Sequence, residues 1–447
     1  PGLVNINGFA IEQGDRHLIL NGNVSGNPGD SLTVDLKDIN LEYIFNIINF
    51  HTVDFAGQAT GRAYAANLMK SPEVDAHLHV RNFTFNQAYF GAMNLHGGWE
   101  KEKNAIFLHA RMSDPAHSSM TSVDGDIRIG AAPKGGLDLM IRTENIDLSF
   151  LNHYTDGIFT GLHGRASGWT RVFGPFKGIN LEGDMLVSEG GMKVNATEVD
   201  YRLVNDSVIL RPDNIYFRNA MVYDRQGTPG KDEHYAVVNG VLQHSNLSHM
   251  RFDFDIDAYN ILGYDVKDFG DEVFCGTAYA TGKIGFNGQP GNLNINIDAR
   301  PEENTMFVYN LSSPTTLTDN QFITYKTHQD SIDGHSHSPS GTPLPEPESD
   351  MRINFRLNLT PEATMKILMD PKAGDYIALN GHGNIRANYY NKGDFQIFGN
   401  YNIEEGIYKM SMQNVIHKDF ILQSGGTVSF NGNPREANLD VQAVYTV

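Results

Sequence analysis

From Phe420 to Tyr445 the chain reads FILQSGGTVSFNGNPREANLDVQAVY: every second residue is apolar through Phe420-Leu422, Val428-Phe430 and Leu439-Val441-Ala443-Tyr445, with mostly Gln, Ser, Asn and Asp between them. Side chains of a strand alternate between its faces, so this is strand periodicity, with turns predicted at Gly425-Gly426 and Asn431-Gly432-Asn433-Pro434. One face must be hidden from water, and the neighbouring sequence predicts no helix to cover it. The same alternation recurs in VDAHLHV (74–80), AIFLHARM (105–112), NLEGDMLV (180–187), SVILRP (207–212) and NLNINIDA (292–299).

Three longer stretches resemble one another: LTVDLKDINLEYIFNIINFHTVDFAGQATGRA from 32, LDLMIRTENIDLSFLNHYTDGIFTGLHGRASG from 137 and RFDFDIDAYNILGYDVKDFGDEVFCGTAYATG from 251. Each predicts an alternating strand, a short helical or irregular turn, and a phenylalanine-to-glycine step into a Gly-spaced strand. A looser fourth copy begins at MRINFRLNLT (351–360). Leu41, Ile44, Phe45 and Ile48 fall at helical intervals, and Asp147 stands as an N-cap before LSFLNHY, so the turns of the first two copies predict short helices. In contrast, THQDSIDGHSHSPSGTPLPEPESD (327–350) is dense in Pro, Ser, Gly and acid, and predicts a mobile loop. The expected organisation is a repetitive β-region over 1–311, a partly disordered insertion over 312–350 and a C-terminal domain over 351–447.

Composition narrows the function. With 34 Lys and Arg against 53 Asp and Glu, the net charge of −19 repels phosphate backbones and argues against nucleic acid as a partner. No stretch approaches the roughly 20 apolar residues of a membrane-spanning helix. The chain opens at Pro1 and stops at Val447 within a strand pattern, so it reads as part of a longer polypeptide, with any signal or anchor expected outside it. The lone Cys275 precludes an internal disulfide and is expected to be a small buried hydrophobe.

Catalytic chemistry is sought and not found. His328, His335 and His337 crowd the polar segment, but a floppy loop does not hold ligand geometry, so no metal site is expected there. Asp253, Asp255 and Asp257 share one strand face about 6.8 Å apart, resembling the carboxylate spacing of an inverting glycosidase, but an acid row on a polar face reads first as solvated. His77 and His79 alternate with Ala76, Leu78 and Val80 and are expected on the polar side, in water. Asn-x-Ser/Thr triplets such as Asn82-Phe83-Thr84 carry little weight in so polar a chain. There is no phosphate loop, nucleophile elbow or Cys/His cluster. The chain is expected not to be an enzyme and to need no cofactor.

The alternation fits neither a sandwich of ordinary domains nor a lipid-facing barrel, whose aromatic girdles are missing. It predicts an all-β fold with a few short helices: an elongated β-sheet folded lengthwise into an apolar groove, a β-taco or open β-helix-like rod. On the order of 30 strands at about 4.8 Å would make it about 150 Å long. An apolar trough of that size far exceeds what a soluble monomer leaves bare, and would need an amphiphile to fill it.

The stretch GDFQIFGNYNIEEGIYKMSMQNVIHKDFILQSGGTVSFNGNPREANLDVQAVY (393–445) resembles the C-terminal domain of the TamB family, within the AsmA-like and bridge-like lipid-transfer superfamily. The resemblance rests on Gly393, Phe395, Ile397, Gly399, Tyr401, Ile403, Gly406 and Tyr408, then Lys418, Phe420, Leu422, Gly425 and Gly426, then Gly432, Pro434, Ala437, Leu439, Asp440, Ala443 and Tyr445. Phe430 and Asn433 depart from the usual Trp and Asp. It covers 351–445 at the level of motifs and extends upstream only as the looser repeats. It implies a periplasmic protein of diderm bacteria, anchored in the inner membrane and reaching the outer one. It further implies that phospholipid is the cargo and that an outer-membrane β-barrel of Omp85 type is a partner in some members. The expected groove lining is Phe252, Phe254, Ile256, Ile295, Ile297, Ile353, Phe355, Leu357, Phe395, Ile397, Tyr401, Ile403, Tyr408, Met410, Phe420, Leu422, Val428, Phe430, Leu439, Val441 and Tyr445. The leading expectation is a lipid-transfer conduit between the two membranes. The alternatives are an assembly factor for outer-membrane barrels and, from another class, a β-helical carbohydrate-active enzyme or adhesin.

Overall fold

The structure, a computed structural model, describes residues 4–24, 29–47, 54–67, 73–128, 135–155, 159–246, 248–270, 274–311, 350–370, 373–393, 395–412 and 416–445. Strands dominate, as the alternation predicts: the described residues form 26 strands with only two short α-helices and three 3-10 turns. The chain divides into two compact units, Pro1–Tyr264 with Ala280–Gln289, and Asp265–Tyr279 with Pro290–Val447. The polar segment 312–349, including His328, His335 and His337, lies outside the described residues.

The first unit is an antiparallel meander. Its strands are β1 (Val4–Gln13), β2 (Arg16–Val24), β3 (Ser31–Asn40), β4 (Phe55–Ala66), β5 (Glu73–Phe85), β6 (Ala88–Glu100), β7 (Ala105–Asp114), β8 (Ser119–Arg128), β9 (Gly136–Asp147) and β10 (Phe159–Pro175). It continues through β11 (Asn180–Val194), β12 (Val199–Arg211), β13 (Asn214–Tyr223), β14 (Tyr235–Ser245) and most of β15 (Ser248–Val266). From β1 to β15 each strand pairs with the next in the chain.

That register carries one apolar row through the unit. Leu18, Leu36, Gly61, Leu78, Leu95, Ala110, Val123 and Ile141 stand directly opposite one another in turn. Thr170, Gly183, Leu210, Ile215, Leu242 and Phe252 continue the row from β10 to β15. At about 4.8 Å per strand it extends roughly 60 Å. One residue along, the opposite face carries Asp35, Arg62, His77, His96, His109 and Asp124 in the same relation.

The sequence repeats have a common backbone basis. Asp38, Asn145 and Asn260, one in each copy, take left-handed φ of 54°, 53° and 46°. Their N–H groups leave the ladder and donate to Thr60 Oγ1 at 3.1 Å, Ser167 Oγ at 2.9 Å and Thr281 Oγ1 at 2.8 Å. Gly8 and Asn219 repeat the arrangement with Asn21 Oδ1 and Asn239 Oδ1, at 2.9 and 2.8 Å. A β-bulge takes one donor out of register, and a short polar side chain on the adjacent strand supplies the missing acceptor. In all five a glycine follows the acceptor residue. A Cβ on Gly61 would lie 2.0 Å from the His77 carbonyl oxygen, and one on Gly168 2.2 Å from that of Asp184, so the neighbouring strand approaches too closely for any side chain.

The turns differ among the copies. The first contains α1 (Leu41–Ile47), whose Leu41 is buried, while the side chains of Phe45 and Ile48 lie outside the described residues. The second contains a 3-10 turn (Leu148–Leu151) running into α2 (Asn152–Thr155), and Asp147 caps it by accepting the Ser149 N–H at 2.8 Å. The third departs from expectation: β15 stays extended through Val266 and has no helix. There Ile261 and Leu262 are buried, and the Leu262 N–H is claimed by the Asp224 carboxylate, which holds the backbone out of a helical turn.

The second unit contains Phe274–Tyr279 of β16 (Phe274–Gln289), then β17 (Asn292–Pro301), β18 (Met306–Asn310), β19 (Asp350–Leu359), β20 (Thr364–Asp370), β21 (Asp375–Tyr390), β22 (Gln396–Met412), β23 (Ile416–Leu422), β24 (Thr427–Gly432), β25 (Asn438–Asp440) and β26 (Ala443–Tyr445). Among the described residues β17 pairs with β19 and β18 with β20 in parallel. The long strands β21 and β22 pair with each other, and each serves different partners with its two halves: β20 and β19 for β21, β23 and β24 for β22.

Candidate functional site

The apolar face of the second unit is built by register. Ile295, Ile353 and Tyr389 oppose one another across β17, β19 and β21, and Ile297, Phe355, Ala387 and Ile397 form the next rung. Ala299, Leu357, Ile385, Gly399 and Phe430 make a third, followed by Gly383, Tyr401, Val428 and Leu439. Gly381 leaves room for Tyr401 to lie over the neighbouring strand: a Cβ there would stand 3.1 Å from the tip of its ring.

Past Ile403 the phase of β22 changes. Asn380 faces Glu405 while Gly381 faces Ile403, so Glu404 is an extra residue, a bulge whose carboxylate meets His382 Nδ1 at 2.9 Å on the outer face. The shift by one returns Gly406, Tyr408 and Met410 to the side of Tyr401 and Ile403. This is why the sequence reads Y-x-I-x-x-G-x-Y and not a strict alternation. Beyond it, Ile377, Tyr408, Phe420 and Tyr445 form one rung, and Leu379, Gly406, Leu422 and Ala443 another.

Burial divides the expected lining residues into three groups. Tyr401, Ile403, Leu422, Val428, Phe430 and, in the first unit, Phe252 are buried, with Tyr401 only 1% exposed. Burial, with Glu404 nearby, pushes the Tyr401 phenol well above its ordinary pKa. Phe254, Ile256, Ile295, Ile297, Ile353, Phe355, Leu357, Phe395, Ile397, Tyr408, Met410 and Phe420 are half-buried. Leu439, Val441 and Tyr445 are exposed, Leu439 at 60%. Between the first and third groups lies an apolar cavity of about 230 Å³, lined by Ile377, Leu379, Ile403, Tyr408, Leu422, Leu439 and Val441 among others.

In the first unit the long apolar row is also incompletely covered: Leu78, Leu95, Val123, Ile141, Ile215 and Leu242 are half-buried. Phe252, Phe254 and Ile256 are the lining residues expected from this unit, and the alternation in VDAHLHV and AIFLHARM carries the same signal.

The polar candidates lie on the opposite face. Asp253 and Asp255 are exposed, and Asp257 is bound by Lys283 at 2.9 Å. His77 and His79 are exposed as expected; His79 meets Asn94 at 2.9 Å, and His77 stacks on His96, a neighbour that no local sequence pattern marks. Cys275 is buried, and burial pushes its thiol pKa up, away from a reactive thiolate. Among the described residues no helix is long and apolar enough to cross a membrane.

An all-β chain whose apolar sheet face passes from strand to strand belongs among extended-sheet proteins. The family assignment is narrower: residues 224–447 match the TamB C-terminal domain, and the chain belongs to the TamB family, a family of envelope biogenesis and of lipid or protein transport. That match begins well upstream of the motif-level resemblance. No curated protein and no solved structure matches the chain.

Proposed function

We propose that this chain is a lipid-transfer segment that carries phospholipid acyl chains along its apolar sheet face, between the inner and outer membranes of a diderm bacterium. The observation that carries the reading is the row from Leu18 to Phe252, uninterrupted by charge across 14 strands and half-open to solvent at six of its side chains. An incompletely covered apolar strip some 60 Å long is unfavourable in water and is relieved by acyl chains, whose recognition needs no specific polar contact. The headgroups then remain in water at the groove mouth. In this reading phospholipid is cargo, the inner membrane holds the protein through an anchor elsewhere in the polypeptide, and no chemical step occurs.

A second reading, assembly of outer-membrane barrels with an Omp85-type partner, draws on the exposed apolar side chains of the short strands β25 and β26, where Leu439, Val444 and Tyr445 offer an edge for a partner strand. Native mass spectrometry of chain purified from cell envelopes without detergent separates the two. Several phospholipids per polypeptide are expected; a bare polypeptide mass after gentle extraction defeats the conduit.

A further inference from the structure

We propose that Asp75, His77 and His96 form a binding site for a divalent transition-metal ion of the Zn²⁺ class on the polar face of the first unit, clipping β5 to β6. The three side chains converge by register. His77 and His96 are directly opposed across the two strands, and Asp75 lies two residues before His77, on the same face. The imidazoles stack with centroids 4.0 Å apart and 13° between their planes. Both turn Nε2 toward one carboxylate, His96 to Asp75 Oδ1 at 3.1 Å and His77 to Asp75 Oδ2 at 3.4 Å.

One ligand atom from each residue lies within 4.8 Å of the other two. Donors at about 2.0–2.1 Å from a tetrahedral ion stand roughly 3.3 Å from each other, so the two carboxylate-to-imidazole distances already match a coordinated set. Two imidazoles and one carboxylate suit Zn²⁺, Ni²⁺ or Cu²⁺; Mg²⁺ and Ca²⁺ favour all-oxygen shells. The supports are strands, which hold side chains more firmly than a loop does. On one side the edge of Phe107 meets the His96 ring at 5.0 Å. On the other, Arg62 opposes His77, but its guanidinium is engaged by Asp35 at 2.7 Å and does not compete for Asp75. All three ligands are reachable from solvent, and an ion bound there joins two strands while leaving a coordination position for water.

Isothermal titration of the full chain with Zn²⁺ tests this. The background carries His328→Asn, His335→Asn and His337→Asn, so that the second histidine-rich stretch contributes nothing. One Zn²⁺ per chain is expected, at least tenfold weaker in His77→Ala and in His96→Ala and unchanged in His79→Ala, with no comparable uptake of Mg²⁺. The melting temperature should rise with Zn²⁺ in the background protein and not in the two ligand variants. Absence of Zn²⁺ binding overturns the proposal. So does binding unaffected by both ligand substitutions, or binding matched by Mg²⁺, which would mark general attraction to an acidic surface.

Discussion

The carboxylate of Asp224 accepts the backbone N–H of Leu262 through Oδ2 at 2.8 Å, joining the loop after β13 to the far part of β15. Its Oδ1 takes the N–H groups of Gln226 and Gly227 at 2.8 and 3.0 Å. Arg202 binds the carbonyls of Asp224 and Gly227, and the Tyr201 hydroxyl donates to the Leu262 carbonyl at 2.8 Å. Asp224 is 0% exposed and its bonds to Gly227 and Leu262 are buried, so losing them leaves two backbone donors dry. Asp224→Ala is expected to lower stability by about 3 kcal/mol or more. Asp224→Asn should do little better, because its amide turns a donor toward one of those N–H groups. Urea unfolding followed by circular dichroism reads both; a loss under about 1 kcal/mol would mean the loop is held by something else.

Glycine at the bulge partners gives a sharper test. Gly61→Ala or Gly168→Ala sets a methyl group against the carbonyl of the adjacent strand, and a loss of about 3 kcal/mol is expected in each. Gly14→Ala is the control: its φ is +61° and nothing lies within 4 Å, so only the backbone penalty of about 1 kcal/mol applies. Equal losses at all three sites would place the constraint in φ and not in strand approach.

Stability should depend on pH through a buried imidazole. Burial holds the pKa of His244 below its ordinary value. The unfolded chain therefore takes up this proton first as pH falls, and the native state loses stability as pH drops through and below about 6.5. The difference in melting temperature between the parent and His244→Gln should narrow from pH 8 to pH 5. A gap that stays constant would show that this group does not titrate between the two states.

A second pH window belongs to Asp138. Arg171 grips its carboxylate with two bonds of 2.7 Å and holds its pKa below the usual carboxylate range. A depressed carboxylate stabilises the fold above its unfolded pKa, and that share is lost as pH falls through the folded value. The pair is open to solvent, so screening limits Arg171→Ala to under about 1 kcal/mol at pH 7. The difference should shrink as pH falls below the ordinary carboxylate value of 3.8, which thermal melts on either side of it would show.

Passage of lipid is tested on the open part of the row. Leu95→Glu and Ile141→Glu place a charge where acyl chains are proposed to lie, at half-buried sites from which the carboxylate still reaches water. Folding should survive while the phospholipid recovered with the protein falls severalfold. Asn94→Glu, on the opposite face, should change neither. Equal behaviour of the two faces would move the barrel-assembly reading ahead.

Strand character was legible because a half-buried sheet imposes a period of two, and VDAHLHV, NLNINIDA and MRINFRLNLT declare it directly. The degree of burial was not. Leu422 and Val441 look alike in the sequence, yet Leu422 is 7% exposed and Val441 37%. Leu422 stands between Gly406 and Ala443, small neighbours set opposite it by the register of β22 and β26 on β23, and alternation carries no information about that register. The family motif held more than it first showed: the Glu404 bulge is written there as a doubled spacer. Asn433 is harmless in place of Asp because its Oδ1 caps the Arg435 N–H at 3.0 Å, as a carboxylate would. The pairing of His77 with His96 needed the register of β5 on β6, which no local pattern supplies.

The neighbour-to-neighbour pairing of β1 through β15 bears on how such a molecule changes size over evolutionary time. Two consecutive antiparallel strands return the chain to the end at which it entered, with the same face inward, so a hairpin can be duplicated or deleted between existing strands without reversing those beyond it. Each event changes the span by about 10 Å, two strand spacings. Length in this architecture is thus a heritable quantity with a step size.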